Sequence, residues 1–148
     1  MSEPAKIPRG FKALRRRNSP FLSSLGPLYA RSEGKSVVIG LRVGERHLNT
    51  RGVAHGGMLV TLADSALGIV IAMSRSPPRP MVTVNLTADF ADVARAGDWV
   101  EARVDLQKMG RRLAFASCHL RVGKRRILRA SGIFAHVPPA GRDGPFEG

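Results

Sequence analysis

Apolar residues follow one another with few interruptions from 58 to 73, in the stretch MLVTLADSALGIVIAM. The stretch contains no proline and is apolar nearly all round, which is typical of a helix buried on most sides. Its polar or small exceptions are spaced i, i+3, i+4 and i+7 and therefore share one narrow face: Thr61, Asp64, Ser65 and Gly68. Residues 76–80, SPPRP, end the helix. We predict one long central helix with Asp64 as its only ionisable side chain.

Period-two alternation of apolar and polar residues predicts strands before and after this helix. The expected strands are 27–32, 36–43, 82–90, 100–107, 113–122 and 127–137. Short turns join the last three, which indicates an antiparallel meander. In strand 82–90 the alternation places Val82, Val84 and Leu86 on one face and Thr83 on the other. A helix that is apolar all round must be covered, so we predict an α+β fold in which a curved antiparallel β-sheet wraps around the central helix.

The length of 148 residues suits one domain, which we place at 18–137. Residues 1–17 are basic and polar and are expected to form a poorly ordered arm, and 138–148 a flexible tail. No signal peptide is apparent, and the apolar run is shorter than the roughly twenty residues that span a bilayer, so we expect a cytoplasmic protein without a membrane span. A single cysteine, Cys118, excludes a disulfide within the chain and is expected to pack in the core.

The formal net charge of +13 favours anionic partners. Basic residues are scattered along the chain, no nucleic-acid-binding module is recognisable, and only one Trp and one Tyr could stack on bases. We therefore expect no specific nucleic-acid binding. Phosphate groups on a small molecule are the anions that suit this charge. No His, Cys, Asp or Glu spacing indicates a metal site, and no role is assigned to His119 or His136.

The candidate chemistry lies between the strand that ends near Val43 and the start of the central helix. His55, Gly56 and Gly57 stand where the first helical turn presents unpaired N–H groups and the positive end of the helix dipole. Two glycines allow a ligand to approach the backbone closely. This arrangement is suited to polarising a carbonyl and stabilising the oxyanion that develops on it.

Asp64 lies seven residues beyond Gly57, on about the same face of the helix but roughly 10 Å along its axis. That separation is too long for Asp64 to act on a carbonyl held by Gly57 of the same chain. If Asp64 is catalytic, either the two groups belong to different subunits or the substrate bridges them. The spacing alone therefore gives a reason to expect a dimeric active site.

Residues 47–57, HLNTRGVAHGG, followed by Leu62, Ala63 and Asp64, resemble a known signature. The pattern H-x-N-x-x-G-x-x-H-G-G with a later L-A-D is similar to that of hotdog-fold thioesterases of the phenylacetic-acid-degradation type, and the likeness extends from about residue 27 to 137. The resemblance implies the hotdog fold and homodimers with a continuous sheet, often paired into tetramers as dimers of dimers. It also implies thioester hydrolysis without a metal or an organic cofactor.

The same resemblance implies a role for each matching residue. Asn49 and His55 would shape the site and polarise the thioester carbonyl, while the N–H of Gly56, aided by Gly57, would be the oxyanion donor. Asp64 of the partner subunit would act as general base or as nucleophile, and the family leaves that choice open. The hydroxyl of Thr83 would position water or the carboxylate.

One departure concerns the loop after Phe90. Many relatives carry a proline there, whereas this chain has residues 91–95, ADVAR. The loop often borders the substrate entrance, so the departure bears on substrate identity.

The implied reaction is hydrolysis of an acyl-CoA or aryl-CoA thioester to the free acid and CoA. Arginines suit the phosphates of coenzyme A, and the expected binding residues are Arg111, Arg112 and Arg125, with Lys124 and Arg126 as further candidates. Two alternatives stay open from the sequence. One is a hotdog hydratase or dehydratase that acts on acyl thioesters, and the other is a non-catalytic acyl-CoA-binding protein.

Overall fold

The computed structural model describes residues 5–15 and 19–137. The expected C-terminal tail, 138–148, and the expected arm at 1–4 and 16–17 lie outside the described residues. The elements are β1 (Lys12–Ala13), α1 (Pro20–Leu25), β2 (Tyr29–Glu33), β3 (Ser36–Arg42), a short 3-10 turn (Glu45–His47), α2 (Gly56–Met73), β4 (Met81–Phe90), β5 (Trp99–Met109), β6 (Leu113–Val122) and β7 (Arg125–His136).

The strands form one seven-stranded antiparallel sheet in the order β1-β2-β3-β5-β6-β7-β4. Strands β5, β6 and β7 are the predicted meander. Strand β4 crosses over to pair with β7, so β4 stands at one edge of the described sheet and β1 at the other. The α+β architecture of a curved antiparallel sheet around one long helix is confirmed.

Helix α2 is the central helix that the apolar run predicts, and it contacts strands β3 to β7. Leu62, Ala63, Ala66 and Leu67 are fully buried against the sheet. By length and composition α2 is also apolar enough to cross a membrane. Its contacts with five strands are those of a core helix, because they supply the apolar surroundings that such a surface requires.

Strand β4 departs from the simple alternation because it contains a β-bulge at Val84. The register passes from the Thr83–Phe134 pair directly to the Asn85–Ile133 pair, which leaves Val84 without an opposite residue and 57% exposed. The bulge reverses the parity of the strand. Thr83 therefore faces α2 on the same side as Leu86, and the predicted grouping of Val82, Val84 and Leu86 on one face is wrong.

Residues 5–15 are part of the folded chain, which corrects the expectation of a poorly ordered arm over this segment. Lys12–Ala13 pairs with β2, and Phe11 is only 8% exposed. The ring of Phe11 meets Trp99 edge-on at a centroid distance of 5.0 Å, and the Arg31 guanidinium lies 4.4 Å from the Phe11 centroid. A buried aromatic contact of this kind holds a segment whose composition is otherwise that of a solvated chain.

Acidic and basic side chains of β2 and β5 pair across β3 on the sheet face away from α2. Arg103 donates to Glu33 at 2.7 Å and to Glu101 at 3.1 Å, and Arg31 also pairs with Glu33. These hydrogen bonds, first that of Arg103 and then that of Arg31, lower the pKa of Glu33 from 4.5 to about 2. The network joins the edge of the sheet to its centre.

Candidate active site

His47 anchors the loop that precedes α2. Its ring is buried, Nδ1 accepts the N–H of Gly44 at 2.9 Å, and Nε2 lies 2.6 Å from the carbonyl of Leu25. An Nδ1 that accepts leaves the proton on Nε2, so Nε2–H donates to Leu25. The His47 carbonyl in turn accepts the N–H of His55 at 2.8 Å. His47 thus ties the end of α1 to the loop, a structural role that the sequence motif alone does not reveal.

Asn49 builds the turn that follows. Its Oδ1 accepts the N–H groups of Arg51 at 2.9 Å and Val53 at 3.3 Å, and its carbonyl accepts the N–H of Gly52 at 3.0 Å. Gly52 has φ of 76°, in the left-handed region that favours glycine. The side-chain oxygen of Asn49 is therefore committed to the backbone. The backbone N–H of Asn49 donates to the Val53 carbonyl at 2.8 Å. The side-chain nitrogen, Nδ2, makes no hydrogen bond within the described part of the chain and is the atom that could face a ligand.

His55 is the N-cap of α2, and its Nδ1 accepts the N–H of Gly57 at 2.8 Å. The bond places the imidazole proton on Nε2, which is left available as a donor. It also occupies the Gly57 N–H, so the expectation that this group aids the oxyanion site is wrong for the described geometry. Gly56 N–H makes no hydrogen bond to any described residue, and it is the first-turn donor that remains.

Steric contacts also explain why positions 56 and 57 carry glycine. A Cβ on Gly57 would lie 3.0 Å from the His55 ring, and a Cβ on Gly56 would lie 3.1 Å from Cε1 of Phe90. A side chain at 57 would thus push the His55 ring off the helix start. The loop that lacks the family proline lies close by, since Ala54 N–H donates to the Ala94 carbonyl at 2.8 Å.

The structure brings Asp64 and Thr83 together. Thr83 Oγ1 donates to Asp64 Oδ1 at 2.6 Å, from β4 to α2. The bulge at Val84 makes this contact possible, because without the extra residue Thr83 would point to the other face of the sheet. A carboxylate held by one hydroxyl and partly open to solvent is suited to accept a proton from water or to attack a carbonyl.

Two open grooves run along the polar stripe of α2. One of about 580 Å³ contains Asp64 and Thr83, and another of about 470 Å³ contains His55 and Gly57. Phe21 of α1 and Thr61 of α2 line both, so the grooves adjoin at these two residues. His55 and Asp64 thus open onto one surface of the chain.

Within a single chain the two chemical groups are nevertheless apart. Gly56 and Asp64 are eight residues apart on α2, or about 12 Å along its axis. The amide that could hold a carbonyl oxygen and the carboxylate that could act on its carbon therefore do not converge in one subunit.

The arginines expected to bind phosphates lie at opposite ends of the sheet. Arg111 and Arg112 stand in the β5–β6 turn, and Arg125 begins β7, so the length of β6, about 33 Å for ten residues, separates them. Arg125 is already engaged, 3.2 Å from Asp92 and bonded to the Val93 carbonyl at 2.6 Å. The three cannot form one patch in a single chain, which corrects their joint assignment.

The remaining candidates are placed as follows. Burial raises the pKa of the Cys118 thiol to about 12, in keeping with a packing role. Desolvation, with a smaller effect of Arg126 and other arginines, lowers the pKa of His119 on the outer face. His136 contacts the Gly110 carbonyl at 3.3 Å. Within 5–15 and 19–137, no three His, Cys, Asp or Glu side chains cluster as a metal site would require.

Comparison with known proteins identifies the family of the chain. The model of the thioesterase superfamily matches residues 51–128. A Pseudomonas aeruginosa protein described as an esterase is 50% identical over 133 residues, which cover 89% of this chain and 98% of that protein. Mouse acyl-coenzyme A thioesterase 13 is 30% identical over 86 residues, covering 58% of this chain and 61% of that protein.

A solved structure shows the same fold. A variant of the phenylacetic acid degradation protein of Thermus thermophilus superposes with a TM-score of 0.69 at 28% identity, over 79% of this chain and 98% of that chain. The chain belongs to the thioesterase superfamily and is a thioester hydrolase with the hotdog fold.

Proposed function

We propose that the protein hydrolyses acyl-CoA thioesters to the free acid and CoA, at a site shared between two subunits. The observation that carries the proposal is the separation on α2: the Asp64–Thr83 pair lies about 12 Å from the Gly56 amide along one helix. A second copy of the chain supplies the missing half of each site. The mouse relative, described as an acyl-coenzyme A thioesterase, supports CoA as the thiol carrier.

The free edge of β4 supports the dimer. Strand β4 is ten residues long, and among residues 5–15 and 19–137 it pairs only with β7, on one side. Phe90 at its end is 56% exposed. A long unpaired edge is a template for pairing with another chain. Joining two copies at β4 would continue the sheet across the dimer and set Thr83 and Asp64 beside the junction, as a two-fold shared site requires.

The chemistry then follows from the available atoms. The Gly56 N–H of one subunit, with Nε2–H of His55, polarises the thioester carbonyl. Asp64 of the partner subunit, held by Thr83, either takes a proton from water as the water oxygen attacks the carbonyl carbon, or attacks that carbon itself. In both routes the C–S bond breaks and the thiolate of CoA leaves and is protonated. In the second route, water then hydrolyses the acyl-aspartate.

Arg111 and Arg112 remain the better placed of the phosphate-binding candidates. Both side chains are exposed, and neither makes an ion pair in the part of the chain that the structure describes. Arg125 is less suited because Asp92 and the Val93 carbonyl already occupy its guanidinium. Reversing the charge at Arg111 and Arg112 should raise KM for CoA esters more than it lowers kcat.

Subunit complementation tests the shared site. Asp64→Ala and His55→Ala homodimers should each lose at least about a hundredfold in kcat on an acyl-CoA panel, assayed as release of free thiol. Each mixed dimer would hold one intact site and one doubly defective site, so a one-to-one reassorted mixture should recover about a quarter of wild-type activity. Circular dichroism and light scattering confirm that both variants fold and pair.

The outcomes separate the parts of the proposal. No recovery on mixing, with mixed dimers shown to form, would place both groups of each site in one chain. Full activity of Asp64→Ala would remove the carboxylate from the reaction altogether. No turnover of any CoA ester by the wild type would refute acyl-CoA as the substrate.

A further inference from the structure

The groove at Asp64 extends well beyond the reacting groups. It follows α2 past Ser65, Gly68 and Ile69 to Ala72, and Pro80 also lines it. From Asp64 to Ala72 the helix rises about 12 Å, so the groove is long rather than round. Its far wall is formed by Met81, Leu86 and Phe134. The shape is that of an extended chain laid along the helix.

Gly68 is unusual in this setting. It lies in the interior of α2, one turn beyond Asp64 on the same face. A glycine within a helix is destabilising relative to alanine. Nothing in the described chain requires it, because a Cβ on Gly68 would meet only Cε1 of Phe134, at an ordinary 3.7 Å. At Gly132, by contrast, a Cβ would lie 2.6 Å from Phe134, so that glycine has a steric reason.

The lining of the groove beyond Asp64 is apolar. Ser65 is the only residue there with a hydroxyl, and it is 9% exposed. The pantetheine arm of CoA carries two amides, which would be left without partners along this wall at a cost in free energy. A hydrocarbon chain has no such groups and gains from every methylene that it buries.

We propose that this groove binds the acyl chain of the substrate as an extended aliphatic group, and that Gly68 sets the length accepted by keeping the groove open one turn past Asp64. The inference rests on the proposed acyl-CoA hydrolysis and adds the substrate class, medium-chain aliphatic acyl thioesters. The acyl carbon lies at Asp64, and the chain runs towards Ala72 and Pro80.

The proposal predicts a graded response to side chains placed in the groove. Gly68→Leu should shift the preferred substrate to short acyl groups, because the added side chain blocks the groove one turn from Asp64. Ala72→Leu, one turn further on, should reduce only the longest chains. Each methylene that no longer finds an apolar site should lower kcat/KM about fourfold.

The experiment measures kcat/KM for the full chain on a series of straight-chain acyl-CoA esters from acetyl to palmitoyl. Val70→Leu is the matched control, since Val70 lies on the same helix but outside the groove, and it should leave the length profile unchanged. Gly68→Ala adds the smallest side chain and should raise Tm, because alanine favours the helix. Light scattering reports the oligomeric state of every variant.

Three results would overturn the inference. An equal loss for all chain lengths in Gly68→Leu would place pantetheine in the groove, and loss of the dimer would assign Gly68 to packing between subunits. An unchanged length profile would show that the groove is not used. Failure of the proposed function is distinct: the wild type would then hydrolyse no ester in the series, and the assignment of the groove would fall with it.

Discussion

The hydroxyl of Thr83 offers a sharp test of the catalytic geometry. Thr83→Val keeps the shape of the side chain and removes its hydrogen bond of 2.6 Å to Asp64 Oδ1. The strand should tolerate valine, because β-branched residues are favoured in strands. We therefore expect a folded protein whose carboxylate is no longer held in one orientation.

The expected loss follows from the kind of hydrogen bond that is removed. Hydrogen bonds to charged groups contribute about 1.5–3 kcal/mol. Thr83 is exposed in the single chain, so the lower end applies, and about 1.5 kcal/mol corresponds to roughly a tenfold fall in kcat. KM should change little, because the bond positions the carboxylate and does not touch the CoA moiety. Thr83→Ser should recover most of the rate.

The assay follows thiol release from a medium-chain acyl-CoA under saturating conditions. Thr87→Val is the matched control, since Thr87 lies on the same strand but on the outer face and donates to Asn85 at 3.3 Å. It should keep wild-type kcat. Wild-type turnover by Thr83→Val, or an equal loss in the serine and valine variants, would refute the claim that the hydroxyl orients Asp64.

Two further predictions concern other ionisable groups. The folded pKa of Glu33, about 2, lies below its ordinary 4.5, so its stabilising effect is present above pH 4.5 and is lost as pH falls towards 2. Glu33→Gln should lower the free energy of unfolding at neutral pH by less than about 1 kcal/mol, because the ion pairs of Glu33 with Arg31 and Arg103 are partly exposed. It should also make the urea midpoint depend less on pH between about 4.5 and 2. An unchanged dependence on pH in this range would contradict the role of Glu33. Burial holds the pKa of Cys118 near 12, so a thiol reagent at about pH 8 should label it only in urea, whereas rapid labelling of the native protein would contradict its burial.

The main elements of the fold could be predicted because their patterns are local. The apolar run of α2 must be covered by other elements on every side. The alternation in β5 to β7, with short turns between them, predicts an antiparallel meander. The pairing of β4 with β7 is a long-range contact, and alternation within β4 carries no information on its neighbour. The packing of residues 5–15 depends on Phe11 meeting Trp99. The aromatic residue within a basic segment was the only signal for it.

The candidate site could be predicted less completely. The motif and its spacing to Asp64 identify the residues, but hydrogen-bond partners decide which atoms are available. His55 Nδ1 accepts the N–H of Gly57, and Asn49 Oδ1 accepts the N–H of Arg51 in the loop. Neither choice is visible in residue types.

The bulge at Val84 divides β4 into two segments, and the alternation of inward and outward side chains starts afresh in the second. Upstream of it, odd-numbered residues face the helix, and downstream even-numbered ones do. The single unpaired residue therefore separates the part of the strand that serves the carboxylate from the part that serves the core. Substitutions that alter core packing after the bulge do not change which face the side chains before the bulge point to. The apolar residues after the bulge can therefore change with the substrate while the Thr83 hydroxyl still points to Asp64.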